Sequence, residues 1–545
     1  MKAFARRIIN RVWIAGCARE HAHFNNALGR VEETQRNYLL NLLRHNARTQ
    51  FGEKHGFSKI NTVAEFQQRV AQNSYEMLTP YIEAITRGET KVLTADPVRL
   101  FQPTSGSTSG TKLIPWTDTV AKEFRHGINP WLASLYQRQP ALLDGTAYWS
   151  ISPPATPQQT CGRLRVGFEH DADYLGFFGR KCFSLVSAVP PEVANCRDMT
   201  EFRTRTLLSL LADENLSLIS VWSPTFLTTL LEDFIARQDE ILKMLAQREL
   251  PGARQRYEFL KAIAWESRHS FPFEQVWPEL KVISCWTHGS SSIYAENLRR
   301  YFPSVEIQGK GLIATEAFVS VPLHKDSDPV LAVTSHFFEF QDLETNTIFQ
   351  AHQLTAGREY QVIVTTGGGL YRYPLGDRIR VTGSIHGAPC FTFINRDGPV
   401  SDLFGEKLHT GFVEKVVRRA IAQQNIDARF FLLAPVADAQ LGTSYTLFIE
   451  ADSIPNPAGL QHNLEHGLAE NFHYAHCRSL GQISPVRLFH IQQVTQSAGS
   501  VFLQEMQDRG IKAGNAKVTP LDGHFGWERR FHGKYVSSQM NSSRS

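Results

Sequence analysis

Apolar residues recur at helical spacing over 31–46. Val31, Tyr38, Leu39, Leu42 and Leu43 share one face, and the spacing predicts a helix there. Residues 1–20 mix apolar positions with Arg6, Arg7 and Arg11, which predicts an amphipathic helix on the domain surface. The charges interrupt what would otherwise be the apolar run of a signal peptide. In the middle of the chain the pattern alternates. Leu216 to Trp222 is a short apolar, β-branched run that predicts a buried strand. Ser223-Pro224 follows as an N-cap with proline at the first helical position. Phe226, Leu227, Leu230, Leu231, Phe234 and Ile235 then repeat with helical period. Leu280 to Trp286 predicts a second strand, 292–302 a helix, and Val305 to Gln308 a third strand. Strands separated by helices imply parallel pairing with right-handed crossovers, and ligands of such sheets bind beyond the carboxyl ends of the strands.

Past residue 330 the helices thin out. Val330 to Gln341 and Arg358 to Thr366 read as strands, and 371–397 as further strands and turns, forming an antiparallel or barrel-like sheet. Asp397-Gly398-Pro399 is turn punctuation, and the domain boundary is placed there. A smaller α+β unit follows: helix 408–424, strands 430–435 and 444–450, helix 459–475, strand 486–491 and a short helix at 501–508. The Ser-rich end, 536–545, is expected to fray.

Composition narrows the classes. The chain has 545 residues, 42% of them hydrophobic and 20% charged, which is a globular balance with ample core material. The net charge of +4 argues against bulk nucleic-acid binding. Seven cysteines with no C-x-x-C pair disfavour a disulfide scaffold or a structural zinc site and fit reduced thiols in the cytoplasm. No run approaches the ~18 apolar residues of a membrane span.

Three segments carry candidate chemistry. Pro103-Thr104-Ser105-Gly106-Ser107-Thr108-Ser109-Gly110-Thr111-Lys112 packs hydroxyls, glycines and one lysine between two apolar pairs. Hydroxyls and exposed N–H groups donate to phosphate oxygens, glycines let the backbone approach, and Lys112 adds positive charge. It is neither a Walker A loop nor a nucleophile elbow, and the same residues also fit a flexible surface loop. Gly367 to Asp377 places a carboxylate after a tight-turn glycine, where it can accept from ribose hydroxyls, with Tyr371 and Tyr373 available to stack on a base. A Gly-rich hairpin with aromatic packing fits that stretch equally well. Thr315 and Glu316 lie past the third strand, where an acid is placed to hold Mg²⁺ near phosphates, although Thr-Glu also reads as a helix start.

Taken together and in this order, the segments resemble the acyl acid amido synthetase family. Its members are the plant auxin-responsive enzymes that conjugate hormones to amino acids, with their bacterial relatives, and it is related to the firefly-luciferase-like adenylating enzymes. The resemblance runs through FGEKHGFSKI at 51–60, the stretch 74–101, TSGSTSGTKLIPWT at 104–117, ATEAF at 314–318, HFFEF at 336–340, YRYPLGD at 371–377 and GEKLHTGFVEKVV at 405–417. It implies an α/β fold with a large N-terminal adenylating domain over 1–398, holding parallel and mixed sheets and a barrel-like part. A small, mobile α+β domain over 399–545 follows, turning about 397–407.

It also implies an activity: ATP and Mg²⁺ convert a carboxylic acid to an acyl adenylate, and an amine, usually that of an amino acid, then forms the amide. The implied phosphate-side residues are Thr104, Ser105, Gly106, Ser107, Thr108, Ser109, Gly110 and Lys112, with Thr315 and Glu316 near the α-phosphate and metal. Tyr371 and Arg372 open the third motif, Asp377 is the ribose acid, and Lys517 is the late catalytic lysine, with Lys512 and Lys407 as alternatives. The expected acyl pocket draws on 148–186, including Tyr148, Trp149, Arg163 and Arg165. Phe177 and Phe178 in that stretch read as core. ATEAF lacks the Ser-rich plant form and Pro374 replaces the usual Arg, so a hormone substrate is not implied. A thioester ligase sharing the first step, and an inactive nucleotide-binding protein, are the competing readings.

Overall fold

A computed structural model of the chain describes residues 2–104, 112–149, 159–167, 182, 185–196, 199–247, 253–263, 272–396, 400–438, 440–492, 496–511 and 516–536. The chain divides into two compact units. One comprises Met1–Trp222, Asp239–His288 and Arg299–Ile394, and the other Ser223–Gln238, Gly289–Leu298 and Asn395–Ser545.

The predicted alternation of strand and helix builds the centre of the first unit. Strands Thr146–Trp149, Leu216–Ser220, Val282–Cys285 and Glu306–Gly309 lie side by side in that order, every pair parallel. Leu216–Ser220 and Val282–Cys285 are buried at every position, as sheets covered on both faces require. Beside this sheet in sequence, the helix Lys2–Leu28 buries Trp13, Cys17, Phe24 and Leu28, while Phe4, Ile8 and Val12 face outward. The helix Asp118–Arg138, which the sequence reading did not pick out, contributes Val120, Phe124, Trp131, Leu132 and Leu135 to the interior.

From residue 320 onward a seven-stranded sheet forms, and the pairs described in it are antiparallel. The predicted strand Val330 to Gln341 is two strands, Val330–Leu331 and Phe337–Asp342. A tight turn intervenes because Ser335 N–H bonds back to Ala332 O at 2.9 Å.

In the second unit, strands Ala428–Asp438, Gly442–Ala451, Ser484–Ile491 and Gly533–Tyr535 form a mixed sheet. Alternation divides its side chains between two cores. Phe431, Leu433, Leu447 and Ile449 face one way, while Phe430, Leu432, Ala434 and Phe448 face the other. The single helix expected at 459–475 is broken into Pro457–Leu468 and Phe472–Ser479. Asn471 restarts it, its side-chain oxygen accepting from His473 N and Tyr474 N at 2.9 and 3.1 Å. At the helix Pro224–Ala236, Ser223 is the N-cap residue as predicted, yet its hydroxyl meets Thr225 Oγ1 at 2.6 Å instead of a backbone donor.

Candidate functional site

The hydroxyl-rich segment joins the antiparallel strands Leu100–Pro103 and Leu113–Trp116, whose register pairs Pro103 with Leu113. Buried Thr104 closes the base of the connection by donating its N–H to Lys112 O at 2.9 Å. Ser105, Gly106, Ser107, Thr108, Ser109, Gly110 and Thr111 lie outside the described residues. Lys112 itself is described and half-buried. Its Nζ donates to Tyr373 Oη at 3.4 Å and stands over the rings of Tyr75 and Tyr373, 5.5 and 6.0 Å from their centroids. Tyr75 in turn accepts from Leu113 N at 2.7 Å. The foot of the first motif is therefore tied directly to the third.

Within that third motif the side chains separate into two kinds. Tyr371 is fully buried, its ring stacked on Phe51 at 4.8 Å and edge-on to Phe57 at 5.0 Å. Its hydroxyl donates to Leu93 O at 2.7 Å, and burial pushes the phenol pKa up. Arg372 is also buried. It pairs with Glu339 through Nε and Nη2 at 2.9 and 3.0 Å, and gives Nη1 to Gln67 O and Val70 O at 2.9 and 2.7 Å. Its φ of +49° is held by a bond from its N–H to Thr365 Oγ1 at 3.0 Å. In this structure both side chains are taken up by core packing and a buried ion pair. The three glycines before them are closely packed. A Cβ on Gly367 would fall 2.3 Å from Thr119 Cγ2, and one on Gly369 would fall 2.4 Å from Leu93 Cβ. They are glycine because neighbouring side chains press on the backbone.

Asp377 is of the other kind. In the strand Tyr373–Ile385 the pairing passes from Ile363 opposite Pro374 to Gln361 opposite Arg378, so Leu375-Gly376-Asp377 bulges. Gly376 takes φ +79°, which favours glycine, and the bulge holds the Asp377 side chain in a buried setting.

Beyond the parallel strand Glu306–Gly309 the chain makes a small hairpin rather than the helix start that Thr-Glu also allows. Val319 N bonds to Leu312 O at 3.0 Å, Ala314 N to Ala317 O at 2.9 Å, and Ile313 bridges Phe318. Thr315 and Glu316 form its tip, Thr315 half-buried and Glu316 buried. Gly311 enters the hairpin at φ +76°, where a Cβ would stand 2.7 Å from Ser320 O. Among the described residues no group of three or more metal-ligating side chains gathers. A single buried acid at a hairpin tip fits Mg²⁺ shared with phosphates, since that ion keeps one or two carboxylates and takes the rest from substrate and water.

The remaining expectations fall in several places. Arg163, in the turn before the strand Leu164–Val166, and Arg165 within it are exposed, while Tyr148 is buried and Trp149 half-buried at the end of the first parallel strand. Phe177 and Phe178 lie outside the described residues. Lys517 and Lys407 are exposed in the second unit, Lys407 at φ +46°, and Lys512 lies outside the described residues. One residue was missed. Lys310, between Gly309 and Gly311 at the end of the last parallel strand, is buried, and its Nζ donates to Ser220 Oγ at 2.5 Å. A lysine set between glycines directly after a predicted strand was the available signal.

Comparison with known proteins matches three successive blocks of the chain. Residues 20–307 match the GH3 family N-terminal domain, 329–396 the GH3 family central domain, and 412–521 the GH3 family C-terminal domain. Among curated relatives, indole-3-acetic acid-amido synthetase GH3.2 of Arabidopsis thaliana is 23% identical over 79% of this chain and 85% of its own length. Putative indole-3-acetic acid-amido synthetase GH3.9 of the same plant is 23% identical over 91% of this chain and 94% of its own. Among solved structures, GH3.15 acyl acid amido synthetase superposes with a TM-score of 0.76 at 20% identity, covering 95% of this chain and 96% of that one. A likeness at that identity establishes a shared fold.

Proposed function

The chain belongs to the GH3 family, and from that premise we propose that it is an ATP-dependent ligase joining a carboxylic acid to an amine. In the first step a carboxylate oxygen attacks the α-phosphorus of ATP and the bond to pyrophosphate breaks. In the second, an amine nitrogen, that of an amino acid on this reading, attacks the acyl carbon. The bond to AMP breaks and the amine gives up its proton. The observation that carries the proposal is the bond from Lys112 to Tyr373, which couples the base of the hydroxyl-rich connection to the strand bearing Asp377.

In this reading Lys112 and the residues 104–110 line the phosphates and supply positive charge and donors to the charge that develops there. Asp377, aimed by its bulge, accepts from the ribose hydroxyls. Thr315 and Glu316 present a donor and a carboxylate at the tip of the hairpin beyond the last parallel strand. Glu316 is the residue to hold Mg²⁺, which when bound neutralises phosphate charge. Lys517, carried by the region 399–545 turning about 397–407, serves the acyl-transfer steps. The seven cysteines are free, as a cytoplasmic location would require, and no helix among the described residues is long and apolar enough to cross a membrane.

The test is acid-dependent ATP–pyrophosphate exchange with Mg²⁺ across aromatic, indole and fatty acids. Exchange with some acids, followed by AMP release that needs an amine, is the expected result. Binding of ATP with no exchange for any acid would overturn the adenylation step. AMP release requiring a thiol would redirect the second step to a thioester.

A further inference from the structure

The four parallel strands end together, and their carboxyl ends carry an unusual group of side chains. Trp149 closes the first strand, Trp222 follows the second, Trp286 the third and Lys310 the fourth. The three tryptophans are half-buried, and Trp222 and Trp286 lie 6.0 Å apart. Lys310 lies among them with 4% of its surface exposed. Its Nζ is 4.8 Å from the ring centre of Trp131, 5.2 Å from Trp222 and 5.9 Å from Trp149. Trp131 is fixed by its own bond, Nε1 to Gln308 Oε1, at 3.0 Å.

Among the described residues this ammonium has one hydrogen-bond acceptor, Ser220 Oγ, and no carboxylate within ion-pair distance. An ammonium has three donors, so two are left for something else. Burying a charge without a counter-charge is costly, and aromatic faces offset only part of that cost. A buried lysine with no counter-charge among the described residues, at the edge of a parallel sheet where ligands bind, is placed to take up an anion from outside, which would hold it protonated. The half-buried indoles beside it call for a flat apolar body attached to that anion.

We propose that Lys310 binds the carboxylate of an aromatic acid, whose ring packs against Trp149 and Trp222, and so selects the acyl substrate. The proposal rests on the ligase reading above and assigns to that site the residue that holds the acid's carboxylate.

The electrostatics give it a pH dependence. Burial lowers the Lys310 pKa to about 7. The titratable neighbour acting on it is Cys285 of the adjacent strand, itself pushed up to about 12 by burial and so neutral. Trp131, Trp149, Trp222 and Ser220, from the other packed elements, do not titrate. The ammonium is therefore lost as pH rises through neutrality, and carboxylate binding weakens with it.

The experiment uses the full chain. Tryptophan fluorescence is titrated with phenylacetate, indole-3-carboxylate, a medium-chain fatty acid and the primary amides of the two aryl acids. Acid-dependent ATP–pyrophosphate exchange is measured in parallel for wild type, Lys310→Met and Lys310→Arg. The expected result is that aryl carboxylates quench and their amides do not. Lys310→Met should raise KM for the acid about tenfold to a hundredfold, the loss of a charged hydrogen bond. KM for ATP should stay unchanged, and Lys310→Arg should recover part of the loss. Wild-type affinity for the acid should fall between about pH 6 and about pH 9.

A folded Lys310→Met protein with the same KM for the acid would overturn the proposal and leave Lys310 a packing residue. If that variant does not fold, a wild-type affinity independent of pH would overturn it equally. The two readings fail separately. Quenching by aryl carboxylates without exchange would sink the ligase and keep the site, whereas exchange insensitive to Lys310 would do the reverse.

Discussion

Arg372 and Tyr371 stand next to each other in a motif that resembles a nucleotide-binding one, and the interior claims both. The Arg372–Glu339 pair is buried on both sides, at 2.9 Å. Such a pair is costly to break because the partner is left as an unmatched buried charge. Arg372→Met should therefore destabilise the first unit by about 3–5 kcal/mol, and adding Glu339→Leu should recover much of that, read as denaturant midpoints. Tyr371→Phe keeps the stack on Phe51 and removes the bond to Leu93 O. A loss of about 1 kcal/mol with an unchanged KM for ATP is expected. A KM for ATP raised by an order of magnitude would put the hydroxyl back on the nucleotide. Sequence gave no means of separating these roles, because Glu339 is 33 positions away from Arg372 and Leu93 is 278 away from Tyr371.

At the scale of the element, two features matter. The bulge at Leu375-Gly376-Asp377 depends on a glycine at φ +79°. Gly376→Val places a β-branched residue where the left-handed region costs about 1–2 kcal/mol. The strand should relax toward regular pairing and turn Asp377 away, so ATP affinity measured by calorimetry should fall more than stability does. In the second unit the helix Pro224–Ala236 meets the start of Ala498–Asp508. Thr229 Oγ1 and Ser500 Oγ are 3.0 Å apart, and Ser500 Oγ donates to Glu232 Oε2 at 3.1 Å. Burial raises the Glu232 carboxyl from 4.5 to about 7, with Glu450 adding to the rise.

An acid raised in the folded state keeps a proton that the unfolded chain releases. Its contribution is intact below the unfolded value and is lost as pH climbs through the folded one. Wild type should lose on the order of 2 kcal/mol in the second unit between about pH 5 and about pH 8. Glu232→Gln should flatten that part of the profile, as followed by thermal melts at each pH.

For the whole molecule, spatial units and sequence blocks differ. A cut near Gly398 follows turn punctuation, yet the second unit also takes in 223–238 and 289–298. Tyr294 is buried in one core with Phe430, Leu432, Phe448 and Phe502. Arg418 Nη2 reaches Gly289 O at 3.2 Å and Ser292 Oγ at 3.4 Å. A fragment of residues 395–545 therefore lacks part of its own interior. It should bind a hydrophobic dye and melt without a cooperative transition, while the full chain does neither. A cooperative melt of the fragment would show that the strands complete a core without those helices.

Periodicity and punctuation by themselves determined the strands at 216–222, 280–286 and 305–308, the helix after Ser223-Pro224, and the mixed elements of the smaller region. Each is a local matter of burial period, capping and turn residues. The order of motifs also determined the family, since residue types at those spacings need no coordinates to match. Tertiary structure alone decided what faces what: that Tyr371 and Arg372 spend their functional groups inside the core, that Lys112 reaches Tyr373, and that Asp377 sits in a bulge. It also decided that Lys310 has indoles and one hydroxyl around it where a carboxylate would be expected. Electrostatic environment and free donor capacity depend on neighbours brought from distant parts of the chain, so no local pattern records them.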